Sequence, residues 1–314
     1  KGLKVFISQK TLFKTRPVIG FIHALVAWGF TLYLLVNVVD ILYGFIPGFH
    51  FFPNYLIGKL YRIFVDFFTV MVLFGVIYFL VRRFIFNDDR LIINEPVMLS
   101  DEARNGMRRD SFIVGFFILF HVGARFLSAS FEIAKNSADS FQPAATMVSL
   151  LWSKFSEENI ILFEHITWWI ALGLILGFLP YFPYTKHAHL FMGPLNFMVS
   201  QDRSSMASIE KIDFEDDSIE QFGARQIDEL PQKQLLDAYA CIQCSRCQDA
   251  CPAYETGKEL SPSALEINKR YFLNTHLDEF IDGSIPDASI TDILLTDEAA
   301  WSCTTCGYCV EVCP

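Results

Sequence analysis

The chain has 314 residues, 52% of them hydrophobic, with 32 Phe, eight Cys and a formal net charge of −10; its mean hydropathy is +0.33. The length allows two domains, and the averages are too apolar for an ordinary soluble protein. The acidic balance, with no basic stripe interleaved with aromatics, excludes a nucleic-acid binder.

The averages conceal a split. Residues 1–200 carry the long apolar runs, whereas residues 201–314 are polar and acidic and hold every Cys. The ends, Lys1 and Pro314, read as the limits of a fragment or of an ordered region, and no cleavable signal peptide is visible. Four segments reach the roughly 20 apolar residues a spanning helix needs: Val18–Phe45, Leu60–Phe86, Phe112–Phe131 and Ile160–Tyr181. Their flanks set an orientation. Lys1, Lys4, Lys10, Lys14 and Arg16 precede the first; Arg82, Arg83, Arg90, Arg104, Arg108 and Arg109 separate the second from the third; Lys186 and Arg203 follow the fourth. The other side shows Lys59, Arg62, Lys135 and Lys154. Both termini are therefore expected in the cytoplasm, in a multi-pass protein of the inner (plasma) membrane.

Residues 201–235 read as an acidic linker centred on Glu215–Asp217, with a short helix at Pro231–Tyr239 leading into the first Cys motif. Cys241, Cys244, Cys247 and Cys251-Pro252 spell C-x2-C-x2-C-x3-C-P, and Cys303, Cys306, Cys309 and Cys313-Pro314 spell it again. Three thiolates at this spacing wrap one cubane while the fourth serves the other. Cluster one is thus expected on Cys241, Cys244, Cys247 and Cys313, and cluster two on Cys303, Cys306, Cys309 and Cys251. Structural zinc uses paired C-x2-C elements, and a disulfide knot does not use such runs, so two [4Fe–4S] clusters are the reading. The thiols also fit a reducing compartment, on the side that the flanking charges select. The insertion between the motifs carries a helical stretch at Leu265–Leu273.

Histidines inside a bilayer are functional candidates. Haem b needs two imidazoles at similar depth on facing helices. At ~1.5 Å rise per residue, His23 lies roughly 8 Å inside the cytoplasmic edge, beside His187 and His189. His121 is central in the third span, and His165 lies roughly 8 Å inside the far edge, about 7 Å from it in depth. Two candidate haem pairs follow: His23 with His189 or His187, and His121 with His165. His50 and His276 read as surface residues. Arg125, one turn after His121, reads as a propionate partner or a snorkelling cation. The fold class is mainly α: a four-helix transmembrane haem-binding bundle over 1–200, the linker, and an α-helical ferredoxin-like domain over 236–314.

The stretch Pro183-Tyr184-Thr185-Lys186-His187-Ala188-His189-Leu190-Phe191, with Pro194, resembles the cytochrome b subunit of respiratory nitrate reductase. The resemblance implies His189 as the haem ligand nearest the cytoplasm, paired with His23. The positions of that family's distal ligands are Tyr33 and Ala171 here, so a second haem would need His121 and His165. Leu235–Cys241, Cys251–Ala253, Thr256–Pro262 and Trp301–Gly307 resemble membrane relatives of the heterodisulfide reductase iron–sulfur subunit. The fusion is similar to proteins that pass electrons between electron-transfer flavoprotein and the quinone pool. Those proteins usually continue into Cys-Cys-Gly repeats, which this sequence does not contain.

The implied function is membrane-bound electron transfer between a cytoplasmic partner such as electron-transfer flavoprotein and quinone, through two [4Fe–4S] clusters and one or two haems. The alternative is an electron-transfer and anchor subunit of a larger redox complex with its catalytic site on another chain. No G-x-G-x-x-G or Walker motif points to a nucleotide or flavin site.

Overall fold

The computed structural model describes residues 2–200, 213–215, 218 and 221–314. Lys1, Arg203, Asp216, Asp217 and nearly half of the expected acidic linker lie outside the described residues. From the N-terminus the helices are α1 (Gly2–Ser8), α2 (Lys10–Thr15), α3 (Pro17–Phe45), α4 (Leu56–Phe84), α5 (Asp101–Lys135), α6 (Pro143–Ser149), α7 (Glu157–Phe178) and α8 (His189–Val199). They continue as α9 (Gln232–Ala240), α10 (Arg246–Asp249), α11 (Pro252–Glu255), α12 (Pro262–Thr275), α13 (Leu277–Asp282), α14 (Ile290–Ile293), α15 (Asp297–Trp301) and α16 (Tyr308–Glu311). No strand occurs among the described residues. The protein is mainly α, as its sequence implies.

The chain divides into two compact units, each assembled from separated stretches. One comprises Pro17–Ile85 and Phe112–Phe182; the other comprises Lys1–Arg16, Phe86–Ser111 and Pro183–Pro314.

The first unit holds α3, α4, α6, α7 and most of α5. The helices α3, α4, α5 and α7 are long and apolar enough to cross a membrane, with mean hydropathies of 1.8 to 2.4 over their best windows. Only 17% to 33% of those windows is buried. Surfaces that are apolar and outward-facing suit a solvent of lipid tails, where every backbone group must be satisfied within the helix. The interior is a cluster of Tyr33, Val36, Val65, Val72, Val76, Val114, Ile118, Val122 and Phe178. Close approach of α3 and α4 depends on glycine: a Cβ on Gly29 would lie 2.4 Å from Val72 Cγ2, and one on Gly75 2.4 Å from Val26 Cγ2. Small residues at such seams allow van der Waals packing between helices that lipid does not drive together.

The third span is longer than its apolar run. α5 starts at Asp101 because Ser100 caps it, its Oγ accepting from the Ala103 N–H at 3.1 Å, and Asp101 and Glu102 favour the helix N-terminus. Those first turns, through Ser111, belong to the second unit. α7 likewise starts at its cap, Ser156, whose side chain accepts from Asn159 N.

In the second unit α12 is the organising helix. Its Ser261 cap accepts from Ala264 N, and Pro262 occupies the first turn, where a missing N–H costs nothing. It buries Ile267 and Tyr271 against Ala103, and Leu273 against Ile227 and Leu294. Asn268, 1% exposed, donates to the carbonyls of Met98 and Leu294 and accepts from Ser100 N. One amide thus ties three distant segments together, each bond satisfying a backbone group that burial would otherwise leave unpaired.

Candidate metal centre

The two Cys motifs fold into matching turns. In the first, Gln243 and Ser245 take left-handed backbone angles, with φ of 57° and 60°; in the second, Thr305 and Gly307 do so at the same places, with φ of 54° and 72°. In both, the N–H two residues after the leading Cys points at its sulfur: Gln243 N to Cys241 Sγ and Thr305 N to Cys303 Sγ, each 3.4 Å. Each turn then enters a single helical turn, α10 or α16. The N–H of the fourth Cys bonds the carbonyl three residues back, Cys251 to Gln248 and Cys313 to Val310. A non-glycine residue in the left-handed region costs of order 1 kcal/mol or more and persists where its surroundings impose it. Successive N–H groups converging in this way form anion-binding concavities.

The thiols divide into two neighbourhoods. Burial pushes the Cys247 thiol well up, and the thiols of Cys241, Cys244, Cys313 and Cys309 push it further. Cys313 is raised by burial and by Cys244 and Cys241, although the residue as a whole is solvent-exposed. Burial raises Cys241 to about 11, against the pull of the Arg270 guanidinium. Cys309 is raised by burial, with Cys251, Cys303 and Cys306 adding to it. Exposed Cys306 is instead lowered, by the Tyr308 N–H first. Thiols that resist ionisation because of one another become thiolates together only around compensating positive charge, which an iron–sulfur core supplies. Among the described residues no three His, Cys, Asp or Glu side chains close on a single point. Four Cys around a cubane each take a different iron and do not need to.

Cations surround the first motif in a way the sequence reading missed. Arg16, read there as a flanking charge for orientation, is 9% exposed and donates through Nη1 to the Cys244 carbonyl at 2.9 Å while pairing with Asp249. Arg246 Nη2 donates to the Leu12 carbonyl at 3.1 Å. Arg270, 1% exposed, donates through Nε to the Ala238 carbonyl at 2.8 Å and through Nη2 to the carbonyls of Ala238 and Cys241. A buried arginine fork on backbone carbonyls fixes the ligand loop and leaves net positive charge beside it. The available signal was an Arg and a Lys in the middle of the apolar face of the helix expected at Leu265–Leu273.

The histidines fall in different surroundings. In the second unit His187 is buried, and burial, helped by the Lys186 ammonium, pushes it down to about 4. His189 bonds through Nδ1 to the Lys186 carbonyl at 2.6 Å. That carbonyl can only accept, so Nδ1 carries the proton and Nε2 is the basic nitrogen, the tautomer that metal-bound histidines use. Lys186 itself donates to Ser111 Oγ at 2.8 Å. In the first unit His23 meets Phe79 edge-on, with ring centroids 6.3 Å apart.

His121 is 3% exposed; its Nδ1 bonds the Ala171 carbonyl at 3.0 Å, and its ring stacks beside Phe117 and meets Tyr33 edge-on. His165 lies about 9 Å earlier along α7 and is exposed. The structure therefore gives His121 a carbonyl partner and does not draw His165 to it. Arg125 forks onto Asp40, at 3.1 and 3.3 Å. His50 is exposed, and His276 closes α12, stacking on Phe272 at 4.2 Å.

Residues 237–314 match the family described as a 4Fe-4S dicluster domain. Over 98% of its length the chain is 30% identical to the "Probable iron-sulfur-binding oxidoreductase FadF" of Bacillus subtilis, covering 46% of that protein. It is 27% identical, over 95% of its length, to the "EtfAB:quinone oxidoreductase" of Syntrophomonas wolfei, covering 44% of it. A third relative, the "Probable membrane-anchored ferredoxin" of Chromohalobacter salexigens, is 31% identical over 32% of the chain. The chain thus spans less than half the length of the first two. No solved structure matches it.

Proposed function

The chain is a homologue of iron–sulfur oxidoreductases and carries a 4Fe–4S dicluster domain; from that premise we propose that it transfers electrons between a cytoplasmic redox protein and the membrane quinone pool. The observation that carries the reading is the pair of matching left-handed turns with their two thiol neighbourhoods. Cluster one is assigned to Cys241, Cys244, Cys247 and Cys313, and cluster two to Cys303, Cys306, Cys309 and Cys251. The clusters supply one-electron chemistry. The protein's part is to hold them, to exclude water and to set their potentials. Arg270, held against the loop of the first motif, favours the more negative, reduced form of the cluster there.

Quinone and electron-transfer flavoprotein are proposed as partners because a relative over nearly the whole chain is named for that couple. The four apolar helices, long enough to cross a membrane, support a quinone reaction there. In a plasma membrane, the flanking Lys and Arg favour an orientation with the iron–sulfur unit on the cytoplasmic face. Haem b is proposed on the axial imidazoles assigned from the sequence, His189 among them, and the Lys186 carbonyl on Nδ1 supports that tautomer. One haem is favoured over two. The recess beside His121, about 20 Å³, is far smaller than a porphyrin, and Phe117 and Tyr33 pack against the imidazole.

Redox-poised EPR and optical spectroscopy of the full protein in detergent tests the reading. Two interacting cubane signals and one low-spin haem signal, the latter lost in His189→Ala with both cubanes kept, are expected. Zinc in place of iron, or preparations without haem, would refute the respective assignment.

A further inference from the structure

The membrane-spanning unit contains a polar recess that neither the clusters nor the proposed haem uses. It is lined by His121 of α5, by the Arg125–Asp40 pair and by Asn37 of α3. Ile41, Trp168 and Leu172 also line it, and Ile41 is 40% exposed on the apolar surface. A carboxylate and a guanidinium within a span are expensive and stay where they pair or face a cavity; here they do both.

Two observations indicate a ligand. The first is His121 itself. Its Nδ1 donates to the Ala171 carbonyl, which leaves Nε2 as a hydrogen-bond acceptor, and Nε2 is fully buried with no hydrogen-bond partner. A buried acceptor without a donor costs ~1–3 kcal/mol, so the site is completed by something that brings an O–H or N–H. The second is the shape. The enclosed space, about 20 Å³, takes one oxygen substituent. The remaining lining residues, Ile41, Trp168, Ala171, Leu172 and Ile175, are aromatic and aliphatic.

We propose that this recess binds the headgroup of a quinol. One ring hydroxyl donates to His121 Nε2, the Asn37 amide hydrogen-bonds the same oxygen, and the ring lies against Trp168, Ile41 and Leu172. The Arg125–Asp40 fork holds the recess polar without adding net charge, which suits a neutral ligand entering from lipid. This deepens the proposed function, resting on its quinone assignment and naming the residues that meet the quinone.

The test uses the full protein in lipid nanodiscs and a fluorescent hydroxylated quinol analogue, 2-heptyl-4-hydroxyquinoline N-oxide, titrated by quenching. Wild type should bind it saturably, and His121→Phe and Asn37→Leu should each weaken binding about tenfold, as loss of one hydrogen bond in a buried site does. Ile41→Trp, a change on the apolar surface that leaves every polar group in place, should weaken it by crowding the ring. Cubane EPR signals should be unchanged in all three. If wild type binds the analogue and oxidises or reduces a short-chain quinone, while Ile41→Trp and the folded polar variants bind it as wild type does, the recess holds water alone and the inference is overturned with the proposed function intact. If wild type neither binds the analogue nor turns over quinone, the quinone assignment itself fails and the inference with it.

Discussion

Arg16 donates to the carbonyl oxygen of Cys244 at 2.9 Å across 228 residues of sequence. The residue that precedes α3 is thereby bonded to the loop of the first Cys motif near the other end of the chain. Its partner Asp249 sits in the same motif.

Replacing Arg16 by Gln should lower the stability of the second unit by about 1.5–3 kcal/mol, the range for hydrogen bonds to a charged group. The figure stays below that of a fully buried ion pair because the Asp249 side chain is 37% exposed and partly screened. Thermal unfolding of the cofactor-loaded protein reads the loss, and iron per chain should fall. Lys14→Ala is the control, since Lys14 is 54% exposed in its pair with Glu311; an equal effect there would deny Arg16 a specific role.

Ser245 stands where the second motif has Gly307, with φ of 60° against 72°. Ser245→Gly should stabilise the protein by up to about 1 kcal/mol, because glycine takes this conformation without steric cost. Ser245→Val should destabilise it by more than that and reduce cluster content. Urea unfolding of the three proteins orders them, and the order Val above Ser would contradict a strained turn.

Gly106 of α5 lies against the ring of Tyr271. A Cβ there would come 2.2 Å from Tyr271 Cε1, and the ring cannot step aside easily because it is 5% exposed and its hydroxyl donates to Asp110 at 3.0 Å. Gly106→Ala should cost about 1–3 kcal/mol by overpacking. Gly193→Ala, with nothing within 4 Å of the added carbon, should be neutral or gain up to ~1 kcal/mol of helix propensity. Melting temperatures that fall equally would show that the close approach is not maintained in solution.

Glu266 gives the pH dependence a sign. Burial raises its pKa above the usual 4.5, and the Lys269 ammonium only partly offsets this. A carboxyl raised in the folded state contributes stability that is fully present below its unfolded pKa and is lost as pH rises through its folded pKa. Glu266→Gln should therefore gain stability relative to wild type as pH is taken upward from 4.5 toward neutrality, and the two melting curves should converge below that window. A constant difference between them across the range would mean that Glu266 is not titrating there.

The sequence by itself marked the four long apolar helices and the two Cys motifs. Long apolar runs have few structural solutions in lipid, and eight Cys at two identical spacings have few chemical ones. The helix expected at Leu265–Leu273 lies within α12, and the one expected at Pro231–Tyr239 is α9 shifted by one residue, with Pro231 as its N-cap, because local caps and periodicity are short-range signals. Contacts between distant segments were not legible. Nothing local distinguishes Arg16 from its exposed neighbours, or His121 facing a carbonyl of α7 from a His facing a metal. Only the tertiary structure decided that Arg16 and Arg270 clamp the first ligand loop, that Asn268 joins three segments, and that His121, Asn37, Asp40 and Arg125 share one recess. Each depends on which backbone groups are buried together, and burial is settled by packing between segments far apart in the chain.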